Sequence, residues 1–384
     1  MKEKTSGRLS FLRNKLFQNL FCVLLILTVA ALTGYEFYTF RHYREEIRVP
    51  EGTEIQHLSD YLPSLKGTAG DTEIYVFRGE EKGGSLLVMG GTHADELAGH
   101  LSAVIMAENL KVTRGTVFVM PRANNSGFTN NFPQEASPMY VEIPTAGGVR
   151  TLVYGSRATN PVDQWPDPDL YTHFPSGQGL SGSETRNLNR SYPGRENGSF
   201  TERVAFAIKN LILENGIDLT IDLHEASPEY PNINSSVLHE RAMKLSGDAS
   251  LELNDIGISM RMEVSPVTLH GLMHRELGDY TNTLAVLMET ANPCQGRIRG
   301  ATNAALAISG KDACYEQAAK LGYLYVPYDE NGVPLEERCG RHLQAVQVYA
   351  EALGWVFGEE YTIDMSGLPG YDELVKGSVG DWLR

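Results

Sequence analysis

Three short segments carry side chains of the kinds that hold a divalent cation and move a proton. They are Gly90-Gly91-Thr92-His93-Ala94-Asp95-Glu96, Asp222-Leu223-His224-Glu225 and Met288-Glu289-Thr290. Two imidazoles and one carboxylate are a ligand set that a catalytic Zn²⁺ prefers, and they leave a coordination position open for water. A second carboxylate nearby can take the proton from that water. Each segment alone is weak. His-x-x-Glu recurs at His42 and Glu45, and His57 and Asp60 make a similar near-match. A solitary histidine at a strand end is more often a hydrogen-bonded structural residue, and Glu289 alone reads equally well as a salt-bridged carboxylate. Their weight lies in their order relative to the elements that carry them.

Those elements are legible from apolar patterning. Glu73–Arg78 and Ser85–Met89 are β-rich runs, and Gly90-Gly91 ends the second. Leu97–Leu110 has apolar residues at 97, 101, 104, 105 and 108, the spacing of a helix face, and Thr116–Met120 is a strand again. Strand, helix, strand implies a parallel crossover. The stretch from Pro121 to Gly182 is rich in Gly, Ser, Pro and Asn, lacks clean periodicity, and reads as long functional loops. Ser199-x-x-Glu202 is a capping box that opens a helix with Val204, Ile208, Leu211 and Ile212 on one face and Gly216 at its stop. Leu219–Leu223 and Thr283–Met288 are buried-looking strands, and Arg338–Leu353 is a late helix. The pattern predicts an α/β fold with a mixed, mostly parallel sheet and helices on both faces. The three chemical segments then leave the carboxyl ends of strands, where ligands of open α/β sheets collect. Asp222 alternates onto the same strand face as His224. It suits either a hydrogen bond to that imidazole or a purely structural buried position.

A fourth segment, Arg186-Asn187-Leu188-Asn189-Arg190-Ser191-Tyr192-Pro193-Gly194, precedes the capped helix. With it, the motifs resemble the zinc carboxypeptidase superfamily, and within it most the succinylglutamate desuccinylase/aspartoacylase branch. That branch is similar in its glycine-led His-x-x-Glu, its Asn-Arg pair before Pro-Gly, its Asp-Leu-His strand end and its late Glu. The resemblance covers about residues 70–355 in motif order and omits the N-terminal segment. It implies one Zn²⁺ per chain on His93, Glu96 and His224, with Glu289 as general base and proton shuttle. It implies further that Asn189 and Arg190 receive a substrate carboxylate, which a guanidinium fork does two-pronged and a lysine does not. For the arginine that polarises the scissile carbonyl, Arg186 is the catalytic candidate. It lies only three residues before Asn189, closer than the resemblance leads one to expect, so Arg157 and Arg122 stand as alternatives. A tyrosine donor would be Tyr280, Tyr171 or Tyr192. The implied activity is hydrolysis of an amide bond next to a free carboxylate, by a deacylase or a carboxypeptidase. The rival from another class is a catalytically silent carboxylate-binding module of the same fold.

Charge separates the chain into two parts. Of 384 residues, 33 are Lys or Arg and 48 are Asp or Glu, a net charge of −15 that argues against nucleic-acid binding through phosphate neutralisation. Residues 1–50 nevertheless hold 8 basic and 4 acidic side chains, a net +4, and the rest carry −19. Lys2, Lys4, Arg8, Arg13 and Lys15 precede the apolar run Leu20–Thr33, followed by Tyr35, Phe37, Tyr38 and Phe40 as an interfacial aromatic collar. We read residues 1–15 as a basic cytoplasmic flank and 16–38 as a bilayer-spanning signal anchor, with a cleavable signal peptide as the runner-up. Residues 39–70 read as a connector and 71–384 as the hydrolase domain. The expected location is a single-pass membrane protein with its catalytic domain outside the cytoplasm. Cys294, Cys314 and Cys339 allow one disulfide with a thiol left over, and no Cys-x-x-Cys pair suggests a structural zinc.

Overall fold

The computed structural model describes residues 15–131 and 137–384, which separate into a unit ending at Arg44 and a second, Glu45–Arg384. The first unit is the helix α1, Lys15–His42. It has 28 residues, a mean hydropathy of 2.2 over its most apolar window, and no part of that window buried. At 1.5 Å per residue it is roughly 42 Å long, enough to cross the apolar core of a bilayer of about 30 Å.

The second unit is built on a nine-stranded sheet. Its strands are β1 (Glu54–His57), β2 (Glu73–Arg78), β3 (Glu81–Met89), β4 (Lys111–Met120), β9 (Leu219–Ala226), β10 (Ser235–Leu238), β11 (Arg261–Val264), β12 (Leu284–Ala291) and β13 (Asp364–Ser366). The spatial order is β1-β2-β4-β3-β9-β12-β10-β11, with β13 beside β4. The four central strands β4, β3, β9 and β12 are mutually parallel, so their carboxyl ends share one edge of the sheet. The outer strands β2, β10 and β13 run antiparallel to the central strands they pair with.

Both faces are covered, as the near-continuous apolar central strands require. On one face Leu86, Val88, Leu219, Ile221, Val286 and Met288 pack against α2 (Leu97–Asn109) and α8 (Leu335–Phe357). On the other, Leu87, Met89, Phe118 and Leu287 pack against α3 (Phe200–Asn215) and α5 (Met273–Tyr280). Two more helices complete the coat early in this region: α4 (Met243–Asp255), and the short α6 (Ala304–Ser309). Two others, α7 (Ala313–Lys320) and α9 (Tyr371–Lys376), lie further along the chain. The expected cap of α3 forms in full: Ser199 accepts from the Glu202 amide, the Glu202 carboxylate accepts from the Ser199 amide, and Gly216 closes the helix at φ 59°. The parallel crossover β3–α2–β4 is likewise present.

Three expectations are corrected. The long stretch 121–182 contains two antiparallel hairpins, β5 (Tyr140–Thr145) with β6 (Gly148–Val153) and β7 (Leu170–Thr172) with β8 (Gly179–Ser181). Residues 45–70 are not a free connector but part of the second unit, with β1 forming an edge of the sheet. No disulfide forms, since Cys22, Cys294, Cys314 and Cys339 are all free thiols.

The start of the second unit is fixed by charge. The Glu45 side chain is 1% exposed, 2.6 Å from Arg122 and 2.8 Å from His100, and it accepts the Val153 amide. Burial alone would raise its carboxyl, but Arg122 and His100 hold it far below the usual carboxylate range. Removing one partner of a buried ion pair strands the other, at a cost of roughly 3–5 kcal/mol. Glu45→Ala is therefore expected to lower the thermal midpoint of the full chain strongly near neutral pH. A depressed carboxyl contributes stability above its unfolded value of 4.5 and loses it as pH falls. The gap between wild type and variant should accordingly shrink in unfolding scans run below about pH 4.5.

Candidate metal centre

The carboxyl edge of the central strands carries the chemical side chains. Gly91, at φ 65°, turns the chain out of β3 into the segment that holds His93 and Glu96, a backbone conformation that disfavours residues with a Cβ. Helix α2 then starts immediately after Glu96 and lies so close on β9 that a Cβ at Gly99 would meet the Leu223 carbonyl at 2.2 Å. In the sheet register Glu289 of β12 stands beside His224 of β9, so the two side chains leave the same face. Glu289 thus lies inside a strand rather than just past its end.

Glu96 joins the two imidazoles. Its Oε1 is 2.7 Å from His93 Nδ1 and its Oε2 is 2.8 Å from His224 Nδ1, with all three side chains buried. The outward nitrogens are also engaged. His93 Nε2 is 3.0 Å from Asn187 Oδ1 and His224 Nε2 is 2.9 Å from Asp222 Oδ2, while Thr92 Oγ1 donates to Asp222. A ring that gives its Nε2–H to an oxygen turns the Nδ1 lone pair inward. Both Nδ1 atoms therefore face the Glu96 carboxylate. Against their burial, His93 and His224 hold the Glu96 carboxyl well below its ordinary value. Burial and then Arg157 lower His93 to about 4, whereas for His224 Asp222 and Glu96 overcome burial and raise it. The donor atoms of His93, Glu96 and His224 all lie within 4.8 Å of one another, and the set fits a divalent ion of the zinc type.

These residues open on a cavity of about 460 Å³ that Arg157, Asn189, Arg190 and Glu289 also line. Oε2 of Glu289 is buried without a hydrogen-bond partner among the described residues. Burial raises its carboxyl to about 8 against the opposing pull of His224. Arg157 reaches to 3.5 Å from Glu96 with a side chain 40% exposed. Arg190, whose Nη1 donates to the Asn189 carbonyl, has only a distant carboxylate, Glu184 at 3.9 Å. The side-chain oxygen of Asn189 accepts the Met273 amide at 2.8 Å.

The second histidine-carboxylate group, His239 with Glu240 and Asp279, differs from the first because Arg275 forks onto both carboxylates and neutralises them. Arg186 is corrected. Its Nε and Nη2 form a fork with Asp167 at 2.6 and 2.8 Å and its Nη1 donates to the Thr159 carbonyl, so it does not line the cavity. Arg122 is committed to Glu45, which leaves Arg157 as the arginine beside the His93-Glu96-His224 group. Among the tyrosines, Tyr171 donates to the Arg190 carbonyl, Tyr192 is buried, and Tyr280 is half exposed on α5 away from the cavity. Tyr230 lines it instead.

No protein-family model and no curated protein matches the sequence. Among solved structures, the chain is similar to a succinylglutamate desuccinylase from Silicibacter sp. TM1040, at 16% identity over 57% of this chain and 53% of that one, with a TM-score of 0.36. It is similar to a succinylglutamate desuccinylase/aspartoacylase from Rhodobacter sphaeroides at 15% identity over 76% and 62%, TM-score 0.39. It is also similar to the tripeptide-bound cell shape determinant Csd4 of Helicobacter pylori at 12% identity over 79% and 59%, TM-score 0.44. The match thus spans between about half and three fifths of the length of those chains.

Sequence reasoning missed Asn187, Tyr230 and His274. Asn187 carried a signal, since an Asn immediately before a short helical turn is a cap, and its side chain does accept the Asn189 amide. The other two reach the cavity from elements that the apolar pattern did not reveal.

The raised Glu289 carboxyl has a consequence for stability. With a folded value of about 8 and an unfolded one of 4.5, the folded chain binds the extra proton between them and loses stability as pH rises through that window. Metal-stripped wild type is expected to fall behind Glu289→Gln progressively from about pH 4.5 to 8 and then run parallel to it. Unfolding curves of both chains across a pH series measure this.

Proposed function

We propose that the chain is a membrane-anchored, zinc-dependent hydrolase that cleaves an amide bond next to a free carboxylate. The observation that carries this reading is the unpartnered, buried Glu289 carboxylate in one cavity with two inward-turned imidazoles and Arg190. A module that only captures a carboxylate has no use for a proton acceptor held dry beside a cation site.

His93, Glu96 and His224 would hold the zinc ion, which when bound supplies Lewis acidity and lowers the pKa of water at the site. Glu289 takes a proton from the attacking water and hands it to the leaving amine, so the carbonyl carbon gains oxygen as its bond to nitrogen breaks. Arg157 offers its N–H groups to the carbonyl oxygen as negative charge develops there. Arg190, with Asn189 beside it, receives the substrate carboxylate and fixes the reacting carbonyl in register. Asp222 holds His224 in the tautomer that coordinates.

Residues 16–38 anchor the protein in the lipid bilayer, with the basic flank 1–15 cytoplasmic and the domain 71–384 outside. On that side of a membrane peptides are the more accessible class of carboxylate-bearing amide, which favours a carboxypeptidase over an N-acyl amino acid deacylase.

The purified chain is expected to take up one equivalent of zinc, and less than about half an equivalent after titration would overturn the reading. Glu289→Gln should keep the metal and lose turnover by a factor of about 10²–10⁴. Asp222→Asn should weaken zinc binding by about 10–100-fold in competition with a chromophoric chelator. Mass-spectrometric screening of N-acyl amino acids against short peptides assigns the scissile bond.

A further inference from the structure

One buried polar side chain in the cavity has no work in the reaction just described. His274, in the first turn of α5, is 2% exposed, and neither ring nitrogen has a hydrogen-bond partner among the described residues. Its ring faces the cavity. Buried polar groups without partners are uncommon and costly, so a dry imidazole at a cavity points to something that enters it.

The segment that carries His274 is tied to the Asn189-Arg190 segment through its backbone. Asn189 accepts the Met273 amide at 2.8 Å, and the Tyr192 amide donates to the Gly271 carbonyl at 3.2 Å. Gly271 has φ 87°, and a Cβ there would come within 2.5 Å of the Arg190 carbonyl. The segment 271–274 therefore cannot withdraw from the pair without breaking these contacts. Val237, Leu272 and Leu287 line the same cavity.

We infer that His274 is a specificity-determining residue that reads the side chain of the residue whose carboxylate Arg190 receives, and selects one ending in an amide or carboxyl group over an aliphatic one. This rests on the proposed role of Arg190. Burial, then its charged neighbours, Arg190 among them, lowers the imidazole to about 3, so the ring is neutral and offers one donor and one acceptor. The apolar walls suit a short methylene stem, and the two nitrogens suit a polar tip. The same positive neighbours disfavour a cationic tip. An aliphatic side chain of equal length leaves both nitrogens without a partner, which is how a polar site rejects an apolar isostere.

The test is equilibrium binding of glutamine, glutamate, methionine and lysine, each as both enantiomers, to the zinc-loaded full chain by titration calorimetry. Glutamine and glutamate should bind at least about 10-fold more tightly than methionine or lysine. His274→Leu should abolish the difference between glutamine and methionine, and His274→Asn should keep part of it, with zinc content unchanged in both. Equal binding of glutamine and methionine to wild type, a preference that survives His274→Leu, or no binding of any of them would overturn the assignment. Turnover of the matching N-acetyl amino acids and C-terminal peptides, measured in parallel, tests the hydrolase reading separately. Selective binding without turnover would discard the hydrolase and keep His274 as the selector, and turnover without selectivity would do the reverse.

Discussion

A single carboxylate organises the site. Glu96 sits where the chain turns from β3 into α2 and sends one oxygen to each of two imidazoles that come from different strands. One of those oxygens also accepts the Glu225 amide, which ties the carboxylate to the backbone of β9. The geometry of His93, Glu96 and His224 is therefore only as good as the seating of α2 on β9. That seating needs a residue without a side chain at Gly99, because the Leu223 carbonyl occupies the space a Cβ would fill. It is reinforced from below, where Glu225 accepts the Ala98 amide and pairs at 2.6 Å with Arg338 of the long C-terminal helix. A buried pair of this kind adds little net stability, but losing either partner is costly, so the register of helix on sheet is held.

The distribution of arginines shows how the fold divides labour among chemically identical groups. Arg122, Arg186 and Arg338 each meet a carboxylate and spend their charge inside the protein. Arg157 and Arg190 sit at the cavity with only long contacts to acidic groups, at 3.5 and 3.9 Å. The site thus gathers two available cations and three histidines inside a chain whose net charge is −15. The overall charge carries no information about the sign of the substrate, because a cavity that excludes water is governed by the groups lining it rather than by the distant surface.

Much of the scaffold was legible because its signals are local. The Ser199/Glu202 box, the left-handed Gly216 stop, the apolar runs of β3, β4, β9 and β12, and the helix α2 between two of them all follow from neighbours within a few residues. The stretch from Pro121 to Gly182 hid its two hairpins because strands of three to six residues carry too few alternations to register. Residues 45–70 read as a connector for a related reason. What ties them down, such as Glu45 on Arg122 and the β1–β2 pairing, is partnership across the chain rather than composition.

The sequence by itself determined the chemical types at the site and their order at strand ends, since strand period, loop position and donor chemistry are properties of adjacent residues. It determined that two imidazoles and two carboxylates, with an Asn-Arg pair, would emerge near one edge of a parallel sheet. Only the tertiary structure decided which arginine is free, because the commitment of Arg186 to Asp167 spans 19 residues of irregular chain and has no signature in spacing. It alone decided how the His93 ring turns, since Asn187, from a separate segment, holds its Nε2. It also brought His274, on a short helix, into the cavity that Asn189 and Arg190 line. Contacts between distant segments fix side-chain direction and availability, and no local pattern encodes them.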